Sequence, residues 1–386
     1  MAKSMSRRQF IGTSAVAASA VALGSASVAR GYLANEKVQL GWIGCGARSS
    51  HLMQLMMDSV PDTKVVAVCD LIPERMEKAK AFWKRDNPNG YLDFHKMFEK
   101  ERLDGVMAIT QICKHAEVIV PVLEAGYHCF GEKPMDKDVQ AVDALTAAAR
   151  KAWKEKGRFY QIGTQRRYHP TYQACIKEIH DGLIGKIAFM QGGWHWAGDP
   201  SGAPTECDGG RFIEQASHHM DVMAWAKKDI PPVACVAMGY SSADKPPTFS
   251  ETHSSTSFQW ADGSILSYTH LFTLPRKYEA ENLIVFGEKG VVDINAGMYC
   301  GRDEKSKQLG EACGKNWDRG SAEEQADFVA NIKTGGKRLP NANVETGRLC
   351  SLMCIMARMA MVNAKKNTYE PTVIRWKDLG STTEAA

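Results

Sequence analysis

The chain has 386 residues, 44% of them hydrophobic and 24% charged, with 33 Gly and 15 Pro; this excludes a disordered, collagenous or polytopic membrane protein and predicts two or three domains. The formal charge is +4, but Lys3, Arg7 and Arg8 all fall within residues 1–29, which contain no acid, so the remainder stands at +1. A body so nearly neutral has no overall attraction to DNA, RNA or anionic membrane, and no nucleic-acid partner is expected.

Ser6-Arg7-Arg8-Gln9-Phe10-Ile11 sets two arginines ahead of an apolar pair, and Gly12 to Val28 continues as a weakly hydrophobic run of mostly Ala, Ser and Val. Residues 1–29 resemble a twin-arginine export signal, with Ser27-Val28-Ala29 supplying small residues for cleavage. The alternative is an uncleaved amphiphilic anchor, which the many Ser, Thr and Gly residues disfavour. The expected partner of this stretch is the twin-arginine machinery, and the expected location is outside the cytoplasm, in the periplasm or its equivalent. Because that route exports folded chains, a diffusible cofactor must be loaded first and is expected to be tightly held.

The eleven cysteines are scattered, odd in number and without a C-x-x-C, so neither a complete disulfide framework nor a zinc ribbon fits. Cys350 and Cys354 share a helix face and read as core packing. Folding before export leaves most thiols free. No metal is expected.

Val38 to Ile43 is an apolar run that stops at Gly44-Cys45-Gly46-Ala47-Arg48-Ser49, after which His51 to Met57 carries apolar residues at helical spacing. Strand, glycine turn and helix in that order suit a dinucleotide: the first two positions lack side chains where backbone approaches a pyrophosphate, and the helix N-terminus receives its charge. The third glycine of G-x-G-x-x-G is replaced by Ser49, still small enough for close helix-strand packing. The next apolar run, Lys64 to Cys69, ends in Asp70, 24 residues beyond Gly46 and near the expected place for an acid that binds ribose hydroxyls. An acid there repels a 2′-phosphate, which favours NAD over NADP, although Arg75 or Arg48 could turn towards a phosphate. Asp70 could instead cap the helix that begins at Pro73.

Gly105 to Thr110 and Tyr127 to Phe130 read as further buried strands, with a helix from His115 to Ala125 between them. The alternation predicts a doubly wound parallel sheet over residues 36–160. Ligands of such sheets lie beyond the carboxyl ends of the strands, so Thr110-Gln111 and Glu132-Lys133-Pro134 should border the cofactor.

Residues 161–386 read as a second α/β domain. Gln165, Arg166, Arg167, Tyr168 and His169 offer many polar groups suited to polyol hydroxyls, or form a solvated loop. Trp194 and Trp196 follow a strand, Lys186 to Gln191, and either stack on a sugar ring or fill the core. Within Gly209-Gly210-Arg211-Phe212-Ile213-Glu214-Gln215-Ala216-Ser217-His218-His219-Met220-Asp221, helical spacing places Glu214, His218 and Asp221 on one face together with Trp225. A carboxylate one turn from an imidazole makes an acid/base pair in which Glu214 orients and charges His218. His219 points about 100° away and ranks second as the catalytic group; Asp221 either orients His218 or caps backbone. Strands follow at Val233–Gly239, Ser254–Trp260, Ser264–His270, Asn282–Phe286 and Val291–Asn295, forming a mainly antiparallel sheet with one open face through which a homodimer or homotetramer is expected. Gly301 to Gly320 reads as a loop, and helices at Ser321–Thr334 and Val344–Ala364 close the chain.

The glycine turn, the strand-terminal Thr110 followed by His115, Glu132-Lys133-Pro134, and the spaced Glu214 and His218 together resemble the Gfo/Idh/MocA family. The resemblance spans nearly the whole mature chain. It implies a Rossmann domain followed by an open-sheet α/β domain, and hydride exchange between a nicotinamide cofactor and a sugar or cyclitol. It places His115 and Gln165 by the cofactor, Lys133 beside nicotinamide and substrate, and Arg166 near substrate. The family usually has Asp where this chain has Glu214. Two alternatives stand beside the dehydrogenase: a glycosidase that oxidises, eliminates and re-reduces with retained NAD, and a non-catalytic sugar-binding module.

Overall fold

The computed structural model describes residues 36–198, 206–241, 251–302, 305–314, 319–363, 365–366 and 368–383. The export signal read at residues 1–29 lies outside these.

The apolar run at the start of the body forms β1 (Val38–Ile43), buried along almost its whole length. It is joined by β2 (Thr63–Cys69), β3 (Asn89–Tyr91), β4 (Gly105–Ala108), β5 (His128–Glu132) and β6 (Tyr160–Gly163) in a sheet of order β3-β2-β1-β4-β5-β6, with every pairing parallel. This is the Rossmann order, and its crossover between β1 and β4 opens a crevice at the carboxyl ends of those strands.

The second sheet contains β7 (Ile187–Trp196), β8 (Ala234–Tyr240), β9 (His253–Gln259), β10 (Ile265–Phe272), β11 (Ala280–Gly287), β12 (Gly290–Asp293), β13 (Met298–Gly301) and β14 (Lys307–Gln308). A small ribbon of β15 (Val362–Asn363) and β16 (Thr368–Tyr369) follows, and β17 (Val373–Arg375) returns to the sheet edge beside β8. Pairings are antiparallel except β7 with β10. The strand at 186–191 proves longer than its apolar pattern suggested: β7 runs on through Trp194 and Trp196, because β10 and β11 pair with it on both sides to that point. β14 likewise lies inside the stretch read as a loop.

One face of this sheet is covered by the helices Ser217–Ala226 and Val344–Met361. The other exposes Phe189, Val236, Met238, Tyr240 and Ile265. The helix Ser321–Lys333 crosses back to the first domain, where Phe328, Val329 and Ile332 join the core around Val38 and Trp42. A division at residue 160 therefore cuts β6, whose residues 161–163 belong to the first sheet, and leaves this helix on the other side of the boundary. Cys113, just before the helix His115–Glu124, forms a disulfide with Cys207, a covalent link between the two domains that spans 94 residues of sequence. The other nine cysteines are free, and all but Cys300 are buried.

Candidate active site

Between the domains lies a cleft of about 1310 Å³, larger than a typical small-ligand pocket and roomy enough for a dinucleotide with a second small molecule. Gly44 has φ +86°, and a Cβ there would lie 2.2 Å from the Ile109 carbonyl oxygen, so the turn passes over the end of β4 only as glycine. Gly46 is the opposite case. It stands at the N-terminus of the helix Ala47–Ser59, no side chain caps it, and a Cβ there would meet nothing within 4 Å. With Gly46, Ala47 and Arg48 lining the cleft, the uncapped N-terminus of that helix stands at its wall, as a pyrophosphate requires. Thr110 Oγ1 and Gln165 Oε1 are buried on the cleft wall without a hydrogen-bond partner. Unpaired polar atoms beside an open helix end fit a dinucleotide, whose hydroxyl and amide groups can satisfy them.

Other residues expected at the cofactor have more local duties. Ser49 is buried and accepts the Trp42 indole N–H at 2.6 Å, so it fastens helix to strand. Arg48 lines the cleft but donates to Glu132 Oε1 at 2.7 Å, while Glu132 Oε2 accepts the Lys133 backbone N–H. Asp70 accepts from Cys45 N at 2.7 Å and from Ile72 N at 2.8 Å, which ties the glycine turn to the start of the next helix while leaving the carboxylate on the cleft wall. His115, expected at the cofactor, lines the cleft, but its ring is wholly buried and its nitrogens face the carbonyls of Pro134 (2.8 Å) and Thr110 (3.2 Å), so it fastens the segments that follow β4 and β5 together.

The second half of the site starts at Gly209 and Gly210, both at positive φ; a Cβ on Gly210 would lie 2.9 Å from the Glu251 carboxylate. This sharp turn feeds a π-helical segment, Phe212–Ala216, and only then the α-helix Ser217–Ala226. The extra residue per turn breaks the single face inferred from α-helical spacing. Glu214 sits at the mouth, 38% exposed, with Oε1 3.8 Å from Lys133 Nζ. Lys133, only 9% exposed, donates from Nζ to the Glu214 backbone carbonyl. His218 lines the cleft, and its Nδ1 is buried with no partner. Burial, with the charges of Lys133 and Arg166, holds the His218 imidazole well below its ordinary pKa. Glu214 therefore does not charge His218. The imidazole is neutral at pH 7, and the carboxylate faces Lys133 instead.

Asp221 is also placed differently from the sequence reading. It is buried and bonded to Arg167 Nε at 2.8 Å, and Arg167 in turn reaches Asp229 at 2.6 Å. Burial raises the Asp221 pKa to about 6 against the pull of Arg167. This pair pins the His218 helix to the segment Gln165–Tyr168 and touches no ligand space. Tyr168, read as a substrate residue, is buried with its hydroxyl accepting the Ala342 N–H at 3.2 Å.

His219 and Arg166 lie under the floor. His219 is fully buried; its Nε2–H donates to Glu281 Oε1 at 2.8 Å, and its Nδ1 accepts from Tyr268 at 3.1 Å. Those partners define a neutral tautomer, in line with a pKa lowered by burial to about 4. Arg166 Nη2 and Arg319 Nη1 also reach Glu281 Oε1, both at 2.9 Å. Trp194, paired with Glu281 across β7 and β11, stacks on His219 with ring centres 5.1 Å apart, and Trp196 stands 43% exposed at the rim; both line the cleft. Glu281 and Arg319 were not legible from sequence, because neither belongs to a motif and their convergence depends on strand register and on a chain return of many residues.

A parallel Rossmann sheet with an open helix end, carrying Lys133 just past β5 opposite His218 of the second domain, defines a nicotinamide-dependent oxidoreductase architecture. The oxidoreductase family model with NAD-binding Rossmann fold matches residues 38–159, and the GFO/IDH/MocA C-terminal domain matches residues 172–293. The chain belongs to the Gfo/Idh/MocA family. It is 29% identical over 192 residues to an inositol 2-dehydrogenase/D-chiro-inositol 3-dehydrogenase of Lactiplantibacillus plantarum, covering 50% of this chain and 53% of that one. It is 27% identical over 191 residues to a scyllo-inositol 2-dehydrogenase (NAD(+)) of Bacillus subtilis, covering 48% and 53%. The chain thus spans about half the length of these relatives. The crystal structure of myo-inositol 2-dehydrogenase from Lactobacillus plantarum superposes with a TM-score of 0.69 at 21% identity, over 88% of this chain and 99% of that one, which establishes a shared fold.

Proposed function

We propose that this protein is an NAD-dependent dehydrogenase of a cyclitol or related sugar, exported with its cofactor bound. The observation that carries the reading is the meeting of Lys133 and His218, from different domains, in the one cleft onto which Gly46 opens. A bound nicotinamide supplies the hydride acceptor or donor. The chain supplies the rest: Lys133 Nζ stabilises the substrate oxygen as it becomes an alkoxide, and neutral His218 takes the hydroxyl proton. Glu214 holds Lys133 in place, and Trp194 offers a flat apolar wall to a ring. The cyclitol class rests on the names of the relatives, which give the glycoside-cleaving alternative no support. Reduction of the protein's bound NAD on adding myo-inositol, followed by absorbance, tests the proposal; reduction that depends on the cyclitol supports it, and a cyclitol panel that leaves the bound NAD oxidised contradicts it.

Asp70 on the cleft wall favours NAD over NADP. Asp70→Ser is expected to weaken NAD more than NADP, since ribose hydrogen bonds are lost while a repulsive charge is relieved. Equal losses, read by native mass spectrometry, would assign Asp70 to the turn alone. The same spectra report subunit number, and the exposed Val236, Met238 and Tyr240 on the open sheet support a dimer or tetramer. Export is supported by the arginine pair and by a disulfide, which persists in oxidising compartments. Arg7→Lys with Arg8→Lys is expected to hold the precursor in the cytoplasm on fractionation; unchanged export would refute the signal.

A further inference from the structure

The floor of the cleft holds a carboxylate that the proton-transfer chemistry does not use. Glu281 sits near the start of β11, a strand well inside the sheet, and its side chain is 19% exposed towards the cleft. Its Oε1 accepts from His219, Arg166 and Arg319 at 2.8 to 2.9 Å. These donors keep Glu281 ionised far below the ordinary carboxylate range. Its Oε2 has no hydrogen bond among the described residues, although it belongs to the same ionised group. Two buried arginines and a histidine thus hold one oxygen in place and leave the other without a partner on a side chain that lines the cleft.

We infer that Glu281 Oε2 is a substrate-binding acceptor for a ring hydroxyl and selects uncharged polyols over sugar acids. The inference rests on the polyol reading above and adds the charge class and the residue that reads it. A cationic pair beneath a cleft could instead attract an acidic sugar. Here the charged atom that reaches the space is a Glu281 oxygen, because Arg166 Nη2 and Arg319 Nη1 bind Oε1, Arg319 Nη2 donates to the Gly314 carbonyl at 2.6 Å, and the unpaired Arg166 Nε and Nη1 and Arg319 Nε are buried away from solvent. A hydroxyl can donate to a fixed anion and is rewarded; a substrate carboxylate meets a like charge with no room to retreat. The immobilised oxygen costs little ordering when substrate arrives.

The test uses the nucleotide-loaded full protein with myo-inositol, glucose and glucuronate, the last two differing only in a terminal alcohol against a carboxylate. Calorimetry on the wild type is expected to show glucuronate binding at least about tenfold more weakly than glucose. Glu281→Gln keeps shape but removes the charge; it should raise the dissociation constant and KM for myo-inositol by roughly tenfold or more, by a larger factor than it lowers kcat, and narrow the glucose-to-glucuronate gap. Glu281→Asp keeps the charge but withdraws the oxygen, so affinity falls while discrimination against glucuronate survives. Tighter glucuronate than glucose binding in the wild type, which needs no variant to fold, would overturn the inference, as would Glu281→Gln affinities within about twofold of wild type. Failure of the wild type to bind any neutral polyol would overturn the polyol reading itself, and this inference with it, before variants are compared.

Discussion

His218→Ala is expected to lower turnover by roughly 10²–10⁴-fold, the range for loss of a general acid/base, while bound nucleotide is retained. The separation follows from geometry. Gly44, Gly46 and Asp70, the proposed seat of the nucleotide, line the cleft from the first domain, whereas His218 enters it from the second. Its ring makes no hydrogen bond to the rest of the chain among the described residues, so truncation removes a chemical group without dismantling a network. His219→Ala is the contrasting variant. It leaves the proton acceptor in place but strips Glu281 of one donor and Tyr268 of its acceptor, and is expected to destabilise the fold and raise KM more than it lowers kcat. Rapid quench of a single turnover, with nucleotide content measured on the same sample, distinguishes the two. If the His219 variant loses the chemical step and the His218 variant does not, the proton acceptor is misassigned.

The second large effect is on stability. Asp221→Ala leaves Arg167 buried with only the half-buried Asp229 as counter-charge, and removing one partner of a buried pair costs about 3–5 kcal/mol. The value here should fall near the lower end, about 3 kcal/mol, because Asp229 remains. Differential scanning calorimetry at pH 8, where a carboxylate with a pKa near 6 is ionised, reads the loss as a lowered Tm. Replacing Asp221 and Arg167 together with leucine should recover most of it, since neither charge is then stranded. Turnover should fall as well, because this pair anchors the helix that carries His218 to the segment leading out of β6. A variant as stable as wild type would show that the ion pair contributes nothing net.

Residues that act through local backbone were legible in the sequence. The strand-turn-helix around Gly44 and Gly46 is a contiguous pattern whose geometry follows from missing side chains, and Glu132-Lys133 ends a strand at the place where Rossmann folds keep their ligands. The α/β class and the open second sheet followed from the same alternation of apolar runs. Residues whose role depends on register were less legible. An α-helical wheel put Glu214, His218 and Asp221 together, but the π turn at Phe212–Ala216 shifts Glu214 to Lys133 at the mouth, and Asp221 turns to Arg167 in the core. Polar residues in a row at Gln165 to Tyr168 looked like a substrate surface, yet only Gln165 lines the cleft. The others are drawn inward by acids and backbone far along the chain, Arg166 by Glu281, Arg167 by Asp221 and Asp229, and Tyr168 by Ala342. The disulfide joining Cys113 to Cys207 was equally hidden, because cysteine spacing says nothing about which strand ends the fold brings together.

The most direct measurement loads the protein with NAD, adds myo-inositol deuterated at its ring carbons, and follows the label by mass spectrometry and proton magnetic resonance. Transfer of one deuterium, as deuteride, to the nicotinamide ring, with formation of a ketone on the cyclitol and a solvent-derived proton nowhere on that ring position, is the predicted result, and the signal should be nearly absent in the His218→Ala protein at equal nucleotide content. Bound nucleotide that stays unlabelled and oxidised while a series of cyclitols and sugars is tried would contradict hydride transfer as the function of this cleft.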